Sequence, residues 1–380
     1  MSVFGGERGN FTQVKSLKLL GLIVIMIFAL SAISMVHAVP KLAVSAKITG
    51  VTAGTDMAYD LGKGEIFVVD NSGTVTAISD STNKVVATLS IPNGYGYYNG
   101  MAYDSGQNEI FVASGNAIGG GTPMITIISD SSNGIITNIT SGNWWFPYGV
   151  AYDSSKDEIF VTDAGNGQNV FGDVYVFSDS TNTQVESIGV GYFPEAIAYD
   201  SGKGELFVAN TGSSSVSVIS DSSNTVVATI NGVFASGLAY DSSKGEIFAS
   251  NGYNGVSVIS DSTNTVVANV TGPSGIRGIA YDSGNGEIFV GNSVISDSNN
   301  AVVAQVPTAL GLIVYDSSKG EIIGGTNTEI DIFSNSSSTI KVPEFNSAAL
   351  FSLTAVMVVV SLGAVTFNRK KSRKIDHKST

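Results

Sequence analysis

The chain has 380 residues, 43% of them hydrophobic and only 13% charged, with 44 Gly, 2 His and no Cys. It is too apolar for a disordered chain and long enough for a sizeable core, and without Cys no disulfide, thiolate metal site or cysteine nucleophile can form. Across residues 39–368 ten Lys and Arg stand against thirty Asp and Glu, a balance of −20 in which Arg277 is the one arginine. Such a surface repels phosphate backbones and argues against nucleic acid as a partner.

The first element is apolar. Lys15 and Lys18 precede the run 19–36, which is followed by "VHA" ending at Ala38. A positive n-region, an apolar stretch and an A-x-A-like site describe a secretory signal peptide cleaved after Ala38. An uncleaved anchor is the alternative for residues 1–38, because eighteen apolar residues nearly span a bilayer.

Seven repeats follow. The dipeptide "YD" recurs at Tyr59-Asp60, Tyr103-Asp104, Tyr152-Asp153, Tyr199-Asp200, Tyr240-Asp241, Tyr281-Asp282 and Tyr315-Asp316. A period near forty is the mark of a repeat architecture. In the fourth repeat "AIAYD" reads as a strand, "DSGKGE" as a turn, "ELFVAN" and "SVSVIS" as strands, "SDSSNT" as a second tight turn and "TVVATI" as a fourth strand;. Alone, such a sheet cannot bury two apolar faces; packed around an axis, each sheet buries both against its neighbours. The expected fold is all-β, a seven-bladed β-propeller of four-stranded antiparallel blades over residues 39–342. "AVSAKITGV" at 43–51 aligns with the fourth-strand text "TVVATINGV", and residues 43–49 are expected to complete the seventh blade. "EIFVGNSVISDSNNAVV" lacks the loop between second and third strands, so blade 6 should carry a stunted hairpin there. A further strand-like stretch, "STIKV" at 338–342, is either an extra edge or a lead to the membrane.

The text "FVANTGSSSVSVISDSSNTVVATI" resembles the YVTN-repeat family of β-propellers, repeat by repeat from about residue 42 to 342, and "VSVISDSTNTVVANV" matches equally well. That resemblance implies the propeller fold and, more loosely, a binding or surface role.

The chain ends on a second apolar element. Residues 348–368 form an expected transmembrane helix about 30 Å long. The cluster "RKKSRK" follows it, so residues 369–380 are expected as a basic cytoplasmic tail;. The triplet of "VPEF", apolar helix and basic tail resembles the archaeal PEF-CTERM type of sorting signal, with 343–347 as motif and linker;. It implies a membrane sorting enzyme acting near Pro343, Glu344 and Phe345; the alternative is an ordinary C-terminal anchor. Both place the middle of the chain at the cell surface.

Chemistry is sparse. Both histidines, His37 and His377, lie outside the repeats, which leaves Ser without an obvious activator;. The repeated "YDS…GE" carboxylates, such as Asp241 with Glu246, read as turn scaffold, because an active site should break the repeat. The oxygen-rich "DAGNGQNVFGD" at 163–173 does not have EF-hand spacing; no cofactor is expected, with calcium a weak possibility. The loops, by contrast, are asymmetric. Those leading into blades 2 to 4 carry Tyr95, Tyr97 and Tyr98; Trp144, Trp145, Phe146 and Tyr148; and Tyr192 and Phe193. They form an expected contact patch for protein or glycan. Packing over the channel or on blade edges is the alternative. On the first reading, Trp144→Ala with Trp145→Ala abolishes binding and leaves the melting temperature almost unchanged. Sequons at Asn138, Asn269 and Asn335 are glycosylation candidates. The expectation is a membrane-anchored, non-enzymatic surface binding, adhesion or envelope protein. An S-layer-associated structural component and a lactonase or hydrolase with a carboxylate-bound metal are the alternatives.

Overall fold

The computed structural model describes residues 41–334 apart from 52–53, 93–96, 116–120, 167–169, 252–254, 274–276 and 327–328; at 97, 98 and 251 the backbone alone is described. The expected terminal hydrophobic helices, the Ala38 cleavage site, the 338–342 stretch, the Pro343–Phe345 motif and Asn335 lie outside these residues. Among the described residues no helix is long and apolar enough to cross a membrane. The chain divides into two units after Phe333, and only Ser334 of the second is described.

Seven four-stranded antiparallel sheets form seven blades. Blades 1 to 6 span residues 56–90, 97–140, 147–192, 194–231, 237–270 and 279–305, each in simple up-and-down order. Blade 7 takes three strands from residues 312–334 and its fourth from Ala46–Thr49. The first strand of every blade lies against that of the next, and blade 7 against blade 1, so the ring is closed.

The second strands show why the repeat folds this way. Their text is Glu-Ile-Phe-Val or a close variant, and neighbouring side chains leave a strand on opposite faces. Ile66, Ile110, Ile159, Leu206, Ile247, Ile288 and Ile322 pack against the preceding blade. Phe67, Phe111, Phe160, Phe207, Phe248 and Phe289, one residue later, pack against the following blade. All are almost fully buried. The core is therefore seven apolar layers between blades, with no single centre. Truncating one of these rings to Ala should cost about 3–5 kcal/mol.

Closure occurs as expected, with a difference in detail. Ala46 pairs with Ile332 and Thr49 with Glu329, and Lys47 forms ion pairs with Glu329 and Asp331. The strand begins at Ala46, not at 43, because the chain first touches blade 6: Lys41 bridges Gln305 in parallel and the Leu42 N–H donates to the Gln305 carbonyl at 2.8 Å. The N-terminal segment thus staples blade 6 as well as blade 7. Blade 6 has the expected short hairpin, Glu287–Val290 and Ser293–Ser296 joined through Gly291 at φ 56°.

The turns opposite the variable loops are nearly invariant because they link blades. The carboxylate of each "YD" Asp accepts N–H groups of its own turn, as Asp200 does from Gly202 at 2.8 Å and Lys203 at 3.2 Å. The Tyr of each blade lies against the Asp of the blade before it. The seven pairs, Tyr103 with Asp60 through Tyr59 with Asp316, complete the circle. Burial, then that carboxylate, pushes each phenol up. A second ring runs through lysines: the ammonium groups of Lys63, Lys156, Lys203, Lys244 and Lys319 each donate to the carbonyl of an Asp in the next blade's outer turn. The "YD" aspartates of the repeat thus hold turns and face the phenol of the next blade.

Candidate functional site

Aligned on their "YD" dipeptides, the seven first strands reveal one column that breaks the repeat. Four residues before each Tyr stand Thr55, Asn99, Tyr148, Glu195, Ser236, Arg277 and Gly311. The first six line one cavity of about 190 Å³, into which all seven first strands converge. The next column is mostly Gly, and for a reason. A Cβ on Gly100, Gly149 or Gly237 would run into the neighbouring blade's carbonyl, at Tyr148, Glu195 and Arg277 respectively. Small residues let the inner strands approach, and that approach gathers the variable column around the axis. Asp56, Ala196 and Leu312 are the exceptions. Asp56 occupies this position in blade 1, and its carboxylate accepts the N–H of Met101 in blade 2 at 2.7 Å and of Met57 at 2.9 Å.

The cavity is electrostatically unusual. Burial raises the Asp56 carboxyl to about 7, against its two N–H donors and the positive charge of Arg277. Burial likewise raises Glu195 to about 7, partly offset by Thr211. Arg277 is lowered by burial, with Asp56 opposing. Its guanidinium carbon sits 4.7 Å from the centre of the Tyr148 ring. Tyr148 in turn meets Phe193 edge-on at 6.5 Å. No ion pair within 4.0 Å involves Arg277 among the described residues.

The expected aromatic patch is divided by the structure. Trp144 is 4% exposed and packs between blades 2 and 3, with Tyr175 and Phe177 each at 5.6 Å. It is a core residue, so the Trp144→Ala with Trp145→Ala pair would lose stability instead of leaving it unchanged. Trp145, its neighbour, is 46% exposed. Asp163 separates the two: its carboxylate accepts the N–H of Trp145 at 2.9 Å, of Phe146 at 2.8 Å and of Gly165 at 2.9 Å, which pins the loop. Phe146 lies on Gly115 of blade 2. Tyr148 lines the channel, and Phe193 meets its ring edge-on. Tyr192 stacks on Phe171 at 4.3 Å, and Phe171 is 67% exposed, the most exposed large apolar side chain of the described residues. Tyr97 and Tyr98 lie on the first strand of blade 2, opposite Gly115 and Ser114, and Tyr95 lies outside the described residues. Two exposed rings, Trp145 and Phe171, with half-buried Tyr192, therefore remain at the loop end of blade 3, beside exposed Val170.

Asn138 and Asn269 occupy matching places on exposed fourth strands. Each side-chain carbonyl accepts a hydroxyl from the third strand, from Thr126 at 2.8 Å and Ser257 at 2.9 Å. Among the described residues no three His, Cys, Asp or Glu side chains are grouped so as to hold a metal ion.

Sequence reading missed Asp56, Glu195, Arg277 and Phe171. For the first three a signal existed: Glu195 and Arg277 lie in a column that differs in every repeat, and Asp56 in the adjoining column, which is glycine in four of the seven. Compared with known proteins, the chain matches no family model and no curated relative.

Proposed function

We propose that this propeller is a non-catalytic recognition protein, displayed outside a membrane and tethered by its C-terminal apolar segment, that binds protein or glycan through the loop end of blade 3. One observation carries the reading: exposed Phe171 stacks on Tyr192 in the blade whose neighbouring loop exposes Trp145. Large rigid rings supply contact area at little entropic cost, and an exposed cluster of them is uncommon where no partner needs it. The opposite turns are occupied with links between blades, which leaves the loop face as the variable one. The apolar run and basic cluster at the C-terminus support membrane display, with PEF-CTERM-like processing as a further possibility of the same segment;. The likeness to YVTN-repeat propellers supports a surface role. Trp145→Ala with Phe171→Ala, assayed on a glycan and protein array beside the unaltered chain, tests the reading: binding should be lost while folding persists.

A second reading, hydrolysis within the channel, is favoured by Asp56 and Glu195, two carboxyls raised to about 7 in one cavity;. Turnover of lactone or glycoside substrates that disappears in Glu195→Gln would support it.

A further inference from the structure

The central cavity has features that the rim reading does not use. Its lining comes from the variable column of the repeat, so six blades each contribute a different side chain: two hydroxyls, an amide, a phenol, a carboxyl and a guanidinium. A plug that only filled the axis would be served by the same apolar residue in every blade. Blade 7 has Gly311 at this position, with apolar Leu312 and Ile313 after it at the wall, while the other six blades carry hydrogen-bonding groups there.

Arg277 is the strongest feature. It is half-buried, its charge is disfavoured by burial, and no carboxylate stands within ion-pair distance among the described residues. A desolvated, unpaired cation is costly, and an incoming anion relieves that cost. The planar guanidinium fork matches a carboxylate in particular. A cationic ligand is disfavoured, because the aromatic face that would receive it, Tyr148, is already covered by Arg277;. A dianion is disfavoured by Asp56 and Glu195. The volume, about 190 Å³, is below the roughly 300–1,000 Å³ of sites for drug-sized ligands, so the ligand is of monosaccharide size or smaller. The hydroxyl and amide groups of Thr55, Ser236 and Asn99 suit a ligand that carries hydroxyls of its own.

We propose that the channel of this propeller is a binding site for a small hydroxylated monocarboxylate, a sugar acid, held by Arg277 through its carboxylate and by the ring of Thr55, Asn99, Ser236 and Glu195 through its hydroxyls.

The titratable groups that line this cavity are Asp56, Tyr148, Glu195 and Arg277. Asp56 and Glu195 change charge near neutrality, and each gained negative charge repels the ligand. Binding should therefore weaken as pH rises.

The test is calorimetric titration of the full-length chain with D-glucuronate, D-glucose, D-glucosamine and sulfate, at about pH 6 and about pH 8, on either side of both carboxyls. Glucuronate should bind, at least tenfold more tightly than the other three, and more tightly at the lower pH. Arg277→Gln should weaken it tenfold or more with an unchanged melting curve. Glu195→Gln should remove much of the pH dependence and tighten binding at the higher pH, a gain that a damaged fold cannot mimic. The proposal is overturned if glucose binds as well as glucuronate, if glucosamine or sulfate binds better, if no probe binds, or if Arg277→Gln leaves the affinity unchanged.

Discussion

The Tyr59 phenol lies 2.9 Å from the Ser318 hydroxyl, 259 residues away along the chain. It ties blade 1 to blade 7, at the one junction the chain does not cross by simply continuing. The same tie recurs between Tyr199 and Ser155 at 3.0 Å. Each "YD" dipeptide thus has two duties: its Asp shapes the turn of its own blade, and its Tyr reaches the turn of the blade before.

Removal of a tie at the closure should be measurable. A net intramolecular hydrogen bond contributes about 1 kcal/mol, so Tyr59→Phe should lower the unfolding free energy by about that amount in urea denaturation. Asp316→Ala should cost more, because the Asp316 carboxylate also accepts the Ser318 N–H at 2.9 Å and the Lys319 N–H at 3.1 Å. Equal, negligible effects at both positions would count against an inter-blade role for the dipeptide.

The two adjacent tryptophans should behave oppositely. Trp144→Ala empties a core site and should cost about 3–5 kcal/mol. Trp145→Ala removes an exposed ring and should change stability by no more than about 0.5 kcal/mol. Thermal melts of the two single variants check this directly, and the reverse order would place the loop differently from the structure.

Stability should fall as pH rises through neutrality. Asp56 and Glu195 titrate at about 7 when folded, and near 4 when unfolded. Between those values the native state holds more protons than the unfolded chain. The contribution of each group is fully present below its unfolded value and is lost as pH rises through its folded value. Melting temperature should therefore decline between about pH 5 and about pH 8, and Asp56→Asn with Glu195→Gln should flatten that decline. A melting temperature that climbs over the interval would contradict the assignment.

Glycans, where the cell attaches them, should be found at Asn138 and Asn269, both exposed on outer strands. Intact-mass analysis of the native chain, with Asn138→Gln and Asn269→Gln as controls, reads this out. An unmodified mass in a glycosylating host would remove these sequons from the account.

Blade number, strand order and ring closure were legible in the sequence because they depend on features that recur: "YD", "EIFV" and the Asn-bearing outer turn. Repetition makes scaffold visible and hides what departs from it. The column of Thr55, Asn99, Tyr148, Glu195, Ser236 and Arg277 has no common residue, so a search for recurrence passes over it. The loops were legible as aromatic, but not the direction of each ring. Trp144 and Trp145 differ in fate because two N–H bonds to Asp163, from Trp145 and Phe146, fix the backbone of their loop, a contact made from about eighteen residues away and invisible to composition. The N-terminal staple on Gln305 was hidden for the same reason, since a parallel bridge of one residue pair leaves no pattern.

The rim of blade 3 is the heart of the functional account, and an array comparison tests it most directly. The full-length chain should bind a defined protein or glycan, and Trp145→Ala with Phe171→Ala should abolish that signal while the melting curve stays in place. Undiminished binding by the double variant would show that recognition, if any, occurs elsewhere on the ring.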